Sequence, residues 1–320
     1  MECISSQALK FMFLATIMGF FMLSGAGYAS AQDTAPRVFA SPQEAISTLM
    51  DAAKKNDRAA MLEVLGSDTK RWITSGDPVQ DRRGLDAFIA DFDQKNEIEK
   101  DGDSKAILVV GDDGFPFPFP IIKSPKGWAF NPEQGREELL DRRVGRNELT
   151  TIKVLQAFVD AQSEYASVDR NGDGVLEYAA KLRSSPGKRD GLYWPTEGGG
   201  PLSPLGPLVA EAVQQGYSAK KADDKSQEPR AFHGYLFKLL KRQGDAAPGG
   251  ARDFVVAGRM IGGFAVLAYP ARFGNSGVMT FMTNQDGVVY QADHGSETAK
   301  EAQQIDAFNP GDGWEKVEPE

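Results

Sequence analysis

Residues 169–178 read DRNGDGVLEY, with Asp169, Asn171 and Asp173 at alternate positions, Gly174 next and Glu177 three residues on. Calcium takes about six to eight oxygen ligands, and alternate carboxylates and amides wrap one ion where a glycine lets the chain turn sharply. Asp169, Asn171 and Asp173 match the first, third and fifth positions of such a loop, and Gly174 the sixth. Val175 would offer its carbonyl at the seventh, and Glu177 stands at the ninth. An EF-hand wants a bidentate glutamate at the twelfth, where this chain has Ala180. The spacing is nearer to the shorter acidic loops of extracellular calcium modules. Calcium is therefore the candidate cofactor. The competing reading is a plain turn from helix to sheet, because Asp and Asn favour turns by themselves.

Few other residues invite chemistry. There is no P-loop, no His-Glu-x-x-His and no dinucleotide glycine pattern, and Gly274-Asn275-Ser276-Gly277 lacks the spacing of a nucleophile elbow. The only histidines, His233 and His294, supply a zinc or Ser-His-Asp site poorly. No catalytic residue is assigned, although carboxylate pairs for glycoside chemistry depend on a separation that only three dimensions fix. A second surface is 188–195, where Arg189, Tyr193 and Trp194 could stack on a sugar or peptide; the alternative is that these aromatics pin a Gly/Pro-rich loop to the core. Arg136, Arg142, Arg143 and Arg146 could bind an anion, yet nearby carboxylates at helical spacing favour ordinary ion pairs.

The elements that must position these groups begin after an address. Residues 11–25 (FMFLATIMGFFMLSG) form an apolar run of about fifteen residues, shorter than the roughly twenty of a membrane span. Ala29-Ser30-Ala31 follows as a small-x-small cleavage pattern, which predicts a signal peptide over 1–31; an uncleaved anchor is the alternative. The sole cysteine, Cys3, precedes the run, so maturation would leave neither disulfides nor thiol chemistry. A net charge of −9 without a dense basic run argues against nucleic acid and anionic polymers as partners.

Ser41-Pro42-Gln43-Glu44 is a capping box that starts a first helix. Further helices are predicted over 58–65 and 83–95, and strands over 106–110, 115–123 and 128–130. In FPFPFP (115–120) each residue before a proline is pushed to extended geometry, which predicts a protected edge strand; an aromatic groove is the functional alternative. Helices ahead of strands in residues 32–130 suggest an α+β cone of the nuclear-transport-factor-two-like kind. A helix is expected from Asn131-Pro132, ended by Gly145, and a longer one from Asn147 to about Ala166. Beyond a Gly/Pro-rich stretch (184–207), a short helix to Gln214 and a charged segment (220–230), strands are predicted over 231–240, 254–257, 263–269, 278–283 and 288–291. Asn284-Gln285-Asp286-Gly287 makes a hairpin turn, and a last helix begins near Ser296.

Several stretches in order carry a resemblance over nearly the whole chain after the address: FASPQEA (39–45), SGDPVQD (75–81), FPFPFPI (115–121), GWAFNPEQGREELLDRRVGRNEL (127–149), AQSEYASVDRNGDGVLEYA (161–179), HGYLFKLL (233–240) and GRMIGGFAVLAYPARFGNSGVMTFMTNQDGVVYQ (258–291). Together they resemble a family of exported bacterial proteins catalogued as domain of unknown function 2950. The resemblance implies export and brings no reaction with it. Residues 147–291 also resemble, in part, the globular region of type IV pilins and pseudopilins: long helix, Asp-x-Asn-Gly-Asp-Gly loop and Asn-Gln-Asp-Gly hairpin. Those proteins begin with an exposed apolar half-helix, which here is replaced by another domain, so only helix-on-sheet packing carries over.

The expectation is an α+β protein with an N-terminal part (32–130) and a second part (131–320) of central helices and antiparallel sheet. It would be exported, soluble, and periplasmic or extracellular, with no integral span once the signal is removed. The leading functional reading is a non-enzymatic binding or envelope-assembly module, with calcium as its candidate stabiliser, whose partner is an envelope protein or a small ligand. The alternative is a carboxylate-dependent hydrolase of envelope polymers, recognisable by raised-pKa carboxylates converging in a pocket.

Overall fold

The structure, a computed structural model, describes residues 34–195, 200–217 and 230–318. The expected signal segment and nearly all of the charged stretch 220–230 lie outside the described residues. Ser41 opens helix α1 (Pro42–Lys54) as its sequence requires: its hydroxyl accepts from the Glu44 N–H at 3.2 Å, and the Glu44 carboxylate accepts from Ala40 N–H at 2.9 Å. Helices α2 (Arg58–Leu65), α3 (Lys70–Ile73) and α4 (Pro78–Gln94) follow, with Asp57 and Asp77 capping α2 and α4. Helix α4 starts earlier than the apolar pattern predicts because Asp77-Pro78 is itself a cap followed by a first-turn proline.

The first sheet is antiparallel, in the order β1 (Asn96–Asp101), β2 (Lys105–Val110), β4 (Ile121–Ser124), β5 (Gly127–Phe130), with β3 (Phe115–Pro116) also on β2. The FPFPFP stretch is thus not one edge strand. It pairs at its start, breaks, and rejoins β2 through β4, because alternate prolines remove the donors that a continuous ladder needs. Phe117 and Phe119 turn into the core and Phe115 stays exposed under the Arg142 guanidinium, 4.2 Å from the ring centre.

Helix α5 (Pro132–Ala166) is a single continuous helix, so Gly145 does not end it and Asn147 is not a cap. A helical glycine costs only about 1 kcal/mol relative to alanine, and packing at both ends outweighs that. Its first half covers the first core through Leu139 and Leu140, and Gly135 seats its backbone on Pro118. Its second half lays Leu155, Phe158, Ala161 and Tyr165 on the second core. The helix therefore belongs to both cores rather than to a part beginning at residue 131.

The second sheet is antiparallel in the order β14 (Glu315–Lys316), β13 (Tyr290–Asp293), β12 (Met279–Asn284), β11 (Ala265–Pro270), β6 (Tyr235–Leu240). Two ribbons flank it, β7 (Arg242–Gln243) with β8 (Arg252–Asp253) and β9 (Val255–Val256) with β10 (Arg259–Met260). Helix α6 (Gly206–Gln214) and α5 lie on the face that presents Phe237. Helix α7 (Thr298–Gln304) lies on the other, where the Lys238 ammonium donates to the carbonyls of Ala302, Gln303 and Ile305 at 2.7–3.1 Å. The mixed helical and antiparallel architecture is the expected α+β class. No helix of the described residues is long and apolar enough to cross a membrane.

Polar side chains join the two cores. Asn147 is fully buried, donating to the Ser276 carbonyl at 2.8 Å and accepting from the Gln80 amide at 2.7 Å. Arg143 donates to the Trp72 carbonyl and to the Asn275 side chain, and the Asn275 amide donates in turn to the Arg71 and Thr74 carbonyls. Burial lowers the Arg143 pKa, with Asp81 opposing it. Of the four arginines expected to pair, Arg136 meets Glu133 and Arg142 meets Glu138, while Arg143 serves this junction.

Candidate functional site

Helix α5 ends at Ala166 and the Asp169–Glu177 loop turns the chain toward ribbon β9–β10, with Gly172 and Gly174 at positive φ (75° and 85°) where other residues strain. Asp169 faces inward on the turn, accepting from Gly172 N–H at 2.8 Å and Gly174 N–H at 2.7 Å. These bonds, that from Gly174 foremost, hold its carboxyl below the usual carboxylate range. Asn171 accepts from Asp173 N–H and donates to Glu177 Oε1, both at 3.2 Å.

The remaining three groups point at one place, and Arg259 of β10 occupies it. Its guanidinium meets Asp173 Oδ2 at 2.8 Å, Glu177 Oε2 at 3.2 Å and the Val175 carbonyl at 3.2 Å. Asp173 and then Glu177 raise its pKa. A resident arginine thus supplies the positive charge that the spacing suggested for a metal. Arg259 sits on the Asp173, Val175 and Glu177 oxygens that the calcium reading assigns to a metal. Among the described residues, no three His, Cys, Asp or Glu side chains are placed to hold a metal ion together.

The second expected surface, Arg189, Tyr193 and Trp194, is split by the fold. Trp194 is only 6% exposed and donates its indole N–H to the Pro201 carbonyl at 3.0 Å, with the Arg170 and Arg189 guanidinium groups near its ring, 5.2 and 5.9 Å from the centre. It pins the Gly/Pro-rich stretch to the core and offers no exposed stacking face. Asp190 completes the turn: burial opposes its charge, but the Lys181 ammonium and the Ser185 N–H and hydroxyl outweigh that and hold it at about 2. Tyr193, half-buried, faces elsewhere, into a cavity.

That cavity, about 300 Å³, lies between α5, α6 and the sheet. Residues Leu205, Leu208, Val209, Ala212 and Val213 recur at helical spacing, so α6 turns one apolar stripe toward Phe158 of α5, Phe237 of β6 and Val266 of β11. None of the α6 residues is fully buried: the helix spans the gap without closing it. Leu182 and Val213, 37% and 52% exposed, mark the mouth. Arg183, stacked on Tyr193 at 5.6 Å, is the one charged residue among the described lining residues. A second, more open concavity of about 430 Å³ lies between residues 34–37 and α2 and gathers no comparable apolar wall.

Tyr217 and Phe232 close one end of the cavity, their rings edge to face at 4.9 Å. The Tyr217 hydroxyl leaves the cavity behind it and donates to Asp77 Oδ2 at 2.6 Å. Burial, and then Asp77, raise the Tyr217 pKa, while burial lowers that of His233. His233 sits at φ +49°, a left-handed conformation unusual outside glycine, and the strain directs its N–H onto the Tyr217 hydroxyl at 3.2 Å. His294 lies apart, its ring 5.5 Å from Trp314.

Residues 36–317 match the family model described as "Protein of unknown function (DUF2950)", and the chain belongs to that family. Comparison with curated proteins and with solved structures finds no match. Sequence reasoning placed the acidic loop but not Arg259, which lies 82 residues beyond Glu177. It placed α6 but not the cavity, although the 205/208/209/212/213 stripe on a short helix amid Gly and Pro was the available signal.

Proposed function

We propose that this protein is an exported, non-enzymatic binding module, soluble in the periplasm or outside the cell, whose ligand is a small apolar molecule held between α5, α6 and the second sheet. The single observation that carries the reading is the cavity: concave, of ligand size, and walled almost wholly by carbon, as small-molecule sites are. The hydrolase reading needs carboxylates of raised pKa converging in a pocket. The described carboxylates with a displaced pKa, Asp169, Asp190 and Asp306, are all displaced downward, and none lines the cavity. Calcium has a supporting role in this reading: it competes with Arg259 for Asp173, Val175 and Glu177 and stiffens the turn after α5.

The test is fluorescence titration with the neutral apolar probe N-phenylnaphthylamine, on the wild-type chain and on Ala212→Phe, which fills the cavity from the α6 wall. Saturable one-to-one binding, weakened at least about tenfold in the variant, supports the reading. Non-saturable binding, or equal affinity in the two chains, overturns it.

A further inference from the structure

The cavity shares one residue with the junction between the two cores. Helix α6 packs Leu208 and Val209 on the second core and is hydrogen-bonded at both ends. Leu205 N–H donates to the Leu192 carbonyl at 3.0 Å before it, and Tyr217 is fixed after it, behind Gly216 at φ +93°. What fixes Tyr217 is Asp77, a carboxylate only 1% exposed that belongs to the first core's α4. Its Oδ1 accepts from Val79 and Gln80 N–H, both at 3.1 Å, which caps α4. Its Oδ2 accepts from the Tyr217 hydroxyl at 2.6 Å and from Gly234 N–H at 3.2 Å.

The lead-in to β6 is built around the same oxygen. His233 and Gly234 are consecutive left-handed residues, φ +49° and +78°, and their N–H groups reach the Tyr217 hydroxyl and Asp77. Gly234 cannot be replaced cheaply, since a Cβ there would lie 2.5 Å from the buried Asn147 amide nitrogen. So the backbone adopts strained geometry to complete a set of four donors around one buried carboxylate, and Tyr217 is the only one of the four that also faces the cavity.

We propose that Tyr217 is a latch: its ring senses the cavity and its hydroxyl, held on Asp77, transmits occupancy to the capped turn 75–81 of the first core. The proposal rests on the cavity being a ligand site. A ligand pressing on Tyr217 and Phe232 alters the hydroxyl's fit on Asp77, and release of that bond frees the α6 wall. The coupling runs through one discrete hydrogen bond, so it can be removed without changing the apolar lining.

Amide hydrogen exchange on Tyr217→Phe, read at residues 206–214 and 75–81, tests this. In the protein without probe, the variant should exchange several-fold faster at both segments, with β11 and β12 unchanged. With saturating N-phenylnaphthylamine, the wild type should gain protection at both, and the variant at 206–214 alone. Asp77→Asn, which keeps the α4 cap oxygen, should reproduce the variant's pattern. Unchanged exchange at 75–81 in both probe-free variants overturns the latch, whatever the probe does. A probe that fails to bind overturns the ligand reading instead, and the probe-free comparison still decides the latch.

Discussion

Two glycines on helix α5 should respond to alanine with opposite sign. At Gly135 a Cβ would sit 2.5 Å from the Pro118 carbonyl carbon, closer still to its oxygen, and 2.9 Å from Phe119 Cδ1. The obstacle is backbone, and that backbone is held: Phe117 N–H donates to Leu108 at 2.7 Å, and Phe117 and Phe119 are both packed in the first core. Gly135→Ala must therefore push the helix away from the Pro118–Phe119 segment between β3 and β4. Overpacking of that kind costs about 1–3 kcal/mol, from which the better helix propensity of alanine returns about 0.8–1.0 kcal/mol. Because the obstacle is held backbone, the upper half of that range applies, about 2–3 kcal/mol, and the net expectation is a loss of about 1–2 kcal/mol. At Gly145 a Cβ would meet nothing within 4 Å, and the residue lies inside a continuous helix. Gly145→Ala keeps only the propensity gain, about 0.8–1.0 kcal/mol of added stability. Urea unfolding followed by circular dichroism and by tryptophan fluorescence measures both, with a shift in midpoint at constant slope as the criterion. Destabilisation by Gly145→Ala would be the contrary result. It would mean that Gly145 ends one helix in a left-handed conformation, as its sequence suggests, and that α5 does not bridge the two cores.

Two further outcomes follow from the loops. Arg259→Met removes the cation between Asp173 and Glu177, so thermal unfolding in EDTA should fall below wild type. Added millimolar calcium should then raise the melting temperature of the variant more than that of wild type, and Asp173→Ala in the same background should abolish the rise; a larger calcium response in wild type would show that Arg259 does not compete for the site. For Asp190, held at about 2 against about 3.9 unfolded, the folded state favours the carboxylate, so its contribution is present above about pH 4 and is lost as pH falls toward 2. Asp190→Asn should accordingly melt lower than wild type at pH 6 and converge with it as pH approaches 2; a gap independent of pH would assign the loss to packing instead.

Local signals were the legible ones. The Ser41 capping box, the 58–65 helix and the Asn284–Gly287 turn each depend on residues within a few positions of one another, and all three stand where the sequence puts them. Strand β1 was not legible: NEIEKD has no apolar alternation because it is an exposed edge whose charges discourage further pairing. The break that Gly145 suggests is overridden by packing on two cores at once, a tertiary effect that no window around the glycine contains. The candidate site divides the same way. Spacing marks Asp169, Asn171, Asp173 and Glu177 as a turn rich in oxygen, but Arg259 reaches them only through the ribbon fold. Tyr193 and Trp194 are adjacent in sequence and part company in space, one toward a cavity and one into the core. The cavity is set by how far α6 stands from the sheet, and apolar periodicity fixes which side of a helix faces inward but not how closely it approaches.

Methyl NMR of the protein titrated with N-phenylnaphthylamine decides whether the cavity takes an apolar ligand. Saturable shifts are expected at the methyl groups that line the cavity, those of Val154, Leu182, Leu205, Leu208, Val209, Ala212, Val213 and Val266. Shifts centred instead on the exposed Val175, Leu176, Val256 and Ile261, with the cavity methyl groups unmoved, would contradict the ligand reading.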